Sequence, residues 1–198
     1  MRIFAMLAVL AALSACAAPS PFEVTAQEAA ARAYVPEGPP KLTLFTMVNN
    51  TTGAGGHTAL MVSGSQQVIF DPAGSFQHEL VAERGDVLYG MSPAWVQAYK
   101  SAHARNSHHV VSQEIVVTPE QAERALQLVM QNGSVGSAFC TNSTSSILRQ
   151  VPGFDGVRVT FYPIKLMEQI AGRSDVVTDR YYENDAGDVL DGIEPAEG

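Results

Sequence analysis

Apolar residues along this chain fall into two rhythms, and each predicts a different kind of element. Lys41 to Val48 (KLTLFTMV), His57 to Val62 and Gln67 to Asp71 are short apolar runs rich in Val, Ile, Leu and Phe, and runs of that length read as strands. The last two are joined by Ser63-Gly64-Ser65-Gln66, so they are expected to form a β-hairpin. His109 to Val117 and Gly156 to Tyr162 alternate apolar with polar residues and are also predicted strands, with a shorter one at Gly85 to Tyr89. The second rhythm is helical. Ala122, Ala125, Leu126, Val129 and Met130 recur at i, i+3, i+4, i+7 and i+8 behind the capping box Thr118-Pro119-Glu120-Gln121, and Asn132-Gly133 ends the segment. Ser92-Pro93 opens another helix, expected to run to Ala104 with Trp95, Val96, Tyr99 and Ala102 on its core-facing side. Ser145 to Gln150 and Pro163 to Ala171 are shorter helices, stopped by Pro152 and Gly172. Together these elements predict an α+β fold with an antiparallel β-sheet and packed helices, in one domain spanning residues 41–172.

Composition changes the picture mainly at the two ends. Residues 1–15 carry Arg2 and then an apolar stretch, Ile3 to Leu13, too short to span a bilayer, and read as a signal peptide. Leu13-Ser14-Ala15-Cys16 resembles the bacterial lipobox, which implies cleavage and lipidation at Cys16. Ala17 stands where an inner-membrane retention signal would place Asp, so the resemblance implies an outer-membrane anchor facing the periplasm. Residues 16–40 read as a flexible tether with a helical turn or two around Gln27 to Ala33, and residues 173–198 as an acidic, mobile tail. The net charge of −8 comes mostly from that tail: from Asp175 onward there are eight acidic residues against Arg180 alone. The rest lacks the basic footprint of a nucleic-acid binder.

The cysteines bear on chemistry. With Cys16 consumed by lipidation, Cys140 has no intrachain partner in a compartment where disulfides form. A Gly/Ser loop from Gly133 to Phe139 leads into it, and Cys140 is expected at, or one residue before, a helix N-terminus capped by Thr141, Asn142 or Ser143. There the backbone N–H groups and partial positive charge favour a thiolate and supply an oxyanion site. The hairpin adds the other half of a catalytic set. His57 opens its first strand and Asp71 closes its second, which makes the two neighbours in an antiparallel pair. A carboxylate on one ring nitrogen orients an imidazole whose other nitrogen serves a thiol. Cys140, His57 and Asp71 are therefore the candidate nucleophile, base and orienting group.

The stretch from His57-Thr58-Ala59-Leu60-Met61-Val62 through the turn to Val68-Ile69-Phe70-Asp71-Pro72-Ala73-Gly74 resembles the catalytic hairpin of NlpC/P60-type, papain-like cysteine hydrolases. In most of that family the nucleophile precedes the His. Here Cys140-Thr141-Asn142-Ser143 follows it, an order that resembles the circularly permuted branch containing lecithin–retinol acyltransferase-like and YiiX-like proteins. The resemblance implies a permuted papain-like fold and a thiol hydrolase or acyltransferase working through an acyl-Cys intermediate, with no cofactor and no metal. Its substrate is a cell-wall (peptidoglycan) peptide amide or a lipid acyl ester or amide. The alternative is a catalytically inactive envelope lipoprotein that uses the same fold for binding. His103, His108 and His109 match no zinc spacing and read as surface residues, as does His78. The Gly-rich loop Asn49 to Gly56 lacks a P-loop ending and reads as an approach to the site's edge.

Overall fold

Lys41–Asn49 forms strand β1, and every residue from Leu42 to Val48 is buried. Its run is apolar without strict alternation because both faces of the sheet are covered. Leu42 and Leu44 face one core, together with Leu60, Val62, Val68 and Phe70. Phe45 and Met47 face a second core with Ala59, Met61 and Ile69. The computed structural model describes residues 22–74 and 76–184. The signal segment, Cys16 and the end of the acidic tail lie outside the described residues.

The remaining elements are α1 (Ala26–Ala31), β2 (Gly55–Ser63), β3 (Gln67–Phe70), β4 (Glu83–Arg84), β5 (Val87–Leu88), α2 (Pro93–His103), β6 (His108–Val116), α3 (Pro119–Asn132), α4 (Cys140–Leu148), α5 (Pro163–Ala171) and β7 (Val176–Tyr181). The strands form a seven-stranded sheet in the order β4-β5-β3-β2-β1-β6-β7, each pair antiparallel. Helices α3, α4 and α5 supply Ala122, Ala125, Leu126, Val129, Ile147, Leu148, Leu166 and Ile170 to the first core. Helix α2 covers the other face with the 76–91 segment, which adds Phe76, Val81 and Met91 to the second core alongside Tyr99. The architecture is thus α+β, with an antiparallel sheet between two covering layers.

The hairpin and the capped helices stand where the residue pattern puts them. Helix α3 begins with Thr118 as N-cap: Gln121 N–H donates to Thr118 Oγ1 (3.3 Å) and Thr118 N–H donates to Gln121 Oε1 (2.8 Å). Thr118→Ala is expected to cost about 1 kcal/mol, read as a lower urea midpoint with an unchanged m-value; an unchanged midpoint would show the cap to be dispensable.

Other expectations need correction. Gly156 to Tyr162 is not a strand. Thr160 N–H donates to Ser145 Oγ (3.1 Å) and Arg158 N–H to Gln169 Oε1 (2.7 Å), so side chains of α4 and α5 take backbone groups that a neighbouring strand would have paired. The sheet edge is occupied instead by β7, which lies within the expected mobile tail and pairs with β6 from Val110↔Tyr181 to Ile115↔Val176. The expected tether is partly docked: Val24 N–H donates to Glu83 O (2.9 Å), Gln67 N–H donates to Tyr34 O (2.8 Å), and Ala29 of α1 is buried. Gly55 has a packing reason rather than a flexible one, since a Cβ there would lie 2.6 Å from Pro163 Cβ of α5.

Candidate active site

Strand β3 is shorter than β2, and that mismatch makes room for the site. The two pair only from Leu60↔Phe70 to Ser63↔Gln67, so His57 to Ala59 extend past the end of β3. Alternation along β2 sends His57 to the α2 face, with Ala59 and Met61, and Thr58 to the α4 face, with Leu60 and Val62. Asp71 follows Phe70 directly, falls on the same face as His57, and is 1% exposed. His57 Nε2 lies 2.7 Å from Asp71 Oδ1. The neighbour relation expected from the hairpin is therefore met in space.

Cys140 reaches the same point from the other face. Helix α4 packs on β2, where the Thr141 hydroxyl donates to Thr58 Oγ1 (3.1 Å). Past the end of β3, the Thr58 N–H and the His57 ring lie near enough to the Cys140 thiol to lower its pKa. Because Nε2 is engaged by Asp71, Nδ1 is the ring nitrogen left for sulfur. Cys140 is the first residue of α4 and its N-cap is Phe139, which has no side-chain group to cap the helix. The first-turn N–H groups therefore have neither an intrahelical acceptor nor a side-chain cap. Thr141, Asn142 and Ser143, expected as caps, lie inside the helix instead, and Ser143 Oγ donates to Asn132 Oδ1 (3.1 Å).

The ionisation states follow from these contacts. Burial opposes protonation of His57, but hydrogen bonds to Asp71 and Cys140, with their charges, outweigh it and raise its pKa to about 9. Burial likewise opposes ionisation of Asp71; the hydrogen bond and charge of His57, the nearby His103 and the Tyr99 hydroxyl outweigh it and hold the carboxyl at about 2. Burial pushes the Cys140 thiol up, whereas the hydrogen bond and charge of His57, then Thr141 and the Thr58 N–H, bring it down to about 7. Near neutral pH the arrangement favours a thiolate–imidazolium pair beside a carboxylate.

Two participants were not recognised from sequence. Tyr99, expected as core, is fully buried, yet its hydroxyl donates to Asp71 Oδ1 (2.7 Å) while Phe76 N–H donates to Oδ2 (2.8 Å). His103, expected at the surface, is half-buried and stacks on His57, ring centroids 6.1 Å apart and planes 12° from parallel. It lies one helical turn after Tyr99, and its Nδ1–H donates to Tyr99 O (2.7 Å). Burial lowers its pKa, which favours the neutral imidazole beside His57. The i, i+4 spacing of Tyr99 and His103 on α2 was the available signal. His108 and His109 stay at the loop–strand junction, where His109 Nδ1 is 2.7 Å from Asn50 Oδ1. His78 packs on Trp95. Among the described residues no group of three or more His, Cys, Asp or Glu side chains is arranged to hold a metal ion, and no helix is long and apolar enough to cross a membrane. In comparisons with known proteins, the chain matches no family profile, no curated protein and no solved structure.

Proposed function

We propose that this chain is a thiol hydrolase or acyltransferase of circularly permuted papain-like type, held at the outer membrane through a lipid on Cys16 and facing the periplasm. The cluster of Cys140, His57 and Asp71, with His57 hydrogen-bonded to Asp71 and coupled to the thiol at an uncapped helix N-terminus, is the observation that carries this reading. The Cys140 thiolate attacks the carbonyl carbon of an ester or amide, and the oxyanion that forms is held by first-turn N–H groups of α4. Collapse breaks the carbonyl–heteroatom bond as His57 gives its proton to the departing alcohol or amine, leaving a thioester on Cys140. His57, now neutral, takes a proton from water or an acceptor alcohol, which attacks the thioester and releases the thiolate. Asp71 holds the ring and stabilises its charged form.

An exposed aromatic pair beside the nucleophile favours a substrate with an apolar group. Phe139, next to Cys140, and Phe161 are each about half exposed and meet edge to face at 5.5 Å. Both substrate classes, a cell-wall peptide amide and a lipid acyl ester or amide, remain within the proposal.

Incubation with p-nitrophenyl butyrate, quenched in acid and read by intact-protein and peptide mass spectrometry, is expected to place one butyryl group on Cys140. Cys140→Ala should carry none, and His57→Ala should acylate far more slowly. Absence of acylation at Cys140 in the native protein would favour an inactive binding lipoprotein. Fatty-acyl and peptidoglycan-peptide substrates then separate the two classes by the adduct each leaves.

A further inference from the structure

Asp71 stands on one loop and a second loop leads into Cys140, and a third residue joins those loops without touching the reacting groups. Asp86 occupies the two-residue turn between β4 and β5, where Gly85 and Asp86 have φ of +59° and +61°. Two positive φ values in succession are the requirement of a tight primed hairpin turn, and Asp is among the few side chains that tolerate it. The turn continues the sheet pairing. Phe70 lies opposite Val87, and one step further Asp71 N–H donates to Asp86 O (2.8 Å).

The side chain then reaches in both directions. Asp86 Oδ2 accepts from Ala73 N–H (2.9 Å), two residues past Asp71, and from Val135 N–H (2.9 Å), in the loop that delivers Cys140. The carboxylate is buried, with 6% of the residue exposed. Among the described residues, the non-glycine positions with positive φ are Ala73 (+79°), Asp86 (+61°) and Ala138 (+78°). One lies in each of the three segments that meet here. An L-residue is strained in that region, and such strain persists only where surrounding contacts impose it.

We infer that Asp86 is the positioning residue of this site: its carboxylate clamps the Asp71 loop to the Cys140 loop and so sets the approach of the thiol to His57. This inference rests on the catalytic reading of Cys140 and His57. The clamp supplies neither proton nor nucleophile. It fixes the relative position of two loops, in a setting where a displacement of about 1 Å reduces rates by roughly a hundredfold.

Asp86→Gly removes the carboxylate while suiting the turn's backbone, and Asp86→Asn keeps an acceptor oxygen in the same place. The readout is the pH profile of iodoacetamide alkylation at Cys140, with thermal melting and circular dichroism to establish that each variant is folded. In the wild type the midpoint is expected near 7. Asp86→Gly should move it toward the free-thiol value of about 8.5, and Asp86→Asn should restore it. If Asp86→Gly does not fold, Asp86→Ser, whose hydroxyl is one bond too short to bridge both N–H groups, is measured instead, with the same displacement expected. A folded Asp86→Gly or Asp86→Ser with the wild-type profile overturns the clamp alone. An ordinary midpoint in the wild-type protein overturns the catalytic reading itself, and the clamp with it.

Discussion

Replacing His57 by Ala is expected to return Cys140 to ordinary thiol behaviour, and the effect is largest below neutral pH. With a thiol pKa near 7, about 9% of Cys140 is thiolate at pH 6; at the free-cysteine value of about 8.5 the fraction is about 0.3%. The reactive population thus falls about thirtyfold. A thiolate of lower pKa is intrinsically the weaker nucleophile, with a Brønsted slope of about 0.4–0.5, which offsets about fivefold of that loss. A net slowing of about sixfold in alkylation at pH 6 therefore remains. It grows further if burial, no longer opposed by the imidazolium, pushes the thiol above 8.5. The measurement is the iodoacetamide rate from pH 5 to 10 for both proteins. A His57→Ala profile that superimposes on the wild type would remove the ion pair and with it the proposed mechanism.

Asp71→Ala is expected to produce the largest loss of stability of any substitution at the site. It leaves the His57 ring, the Tyr99 hydroxyl and the Phe76 N–H without the carboxylate that each one contacts. Removing one member of a buried charged pair costs about 3–5 kcal/mol, or roughly 10 °C in melting temperature for a domain of this size. The pH dependence has a definite sign. Asp71 is held at about 2 from an ordinary 3.8, so its contribution is present above about 4 and is lost as pH falls through 2. His57 is raised to about 9 from 6.5, so its contribution is complete below 6.5 and is lost as pH rises through 9. Both describe one interaction, on the order of 2–3 kcal/mol, with its maximum between about pH 4 and 6.5. Thermal melts across pH 3 to 10 are expected to show a stability difference between wild type and Asp71→Ala that is widest in that window and shrinks toward both ends. A difference independent of pH would assign Asp71 a packing role only.

Local pattern carried much of this molecule. The Val, Ile, Leu and Phe runs on either side of Ser63-Gly64-Ser65-Gln66 defined the hairpin, and hairpin geometry alone made His57 and Asp71 neighbours. The Thr118 capping box and Gly133 bounded α3 because caps act within a few residues of their own backbone. Gly156 to Tyr162 misled for the complementary reason. Alternation shows that a segment suits a strand, but a strand also needs a partner edge, and here Ser145 and Gln169 took the backbone groups while Val176–Tyr181 filled the edge beside β6. In the tail, acidic composition masked that short strand.

The residues surrounding the three candidates were beyond the reach of pattern. Tyr99 is an ordinary buried aromatic in sequence, and only the packing of α2 across the sheet sets its hydroxyl on Asp71. His103 became part of the site by lying one turn further along the same helix. Asp86 looks like any turn aspartate until two loops separated by about sixty residues converge on its carboxylate. By itself the sequence determined most of the elements, the hairpin pairing of His57 with Asp71 and the placement of Cys140 at a helix start, because each is settled by backbone geometry over short range. Only the tertiary structure decided that Cys140 meets His57. That contact depends on β3 ending before β2 does and on α4 covering the opposite face; these are long-range packing outcomes that no local period encodes.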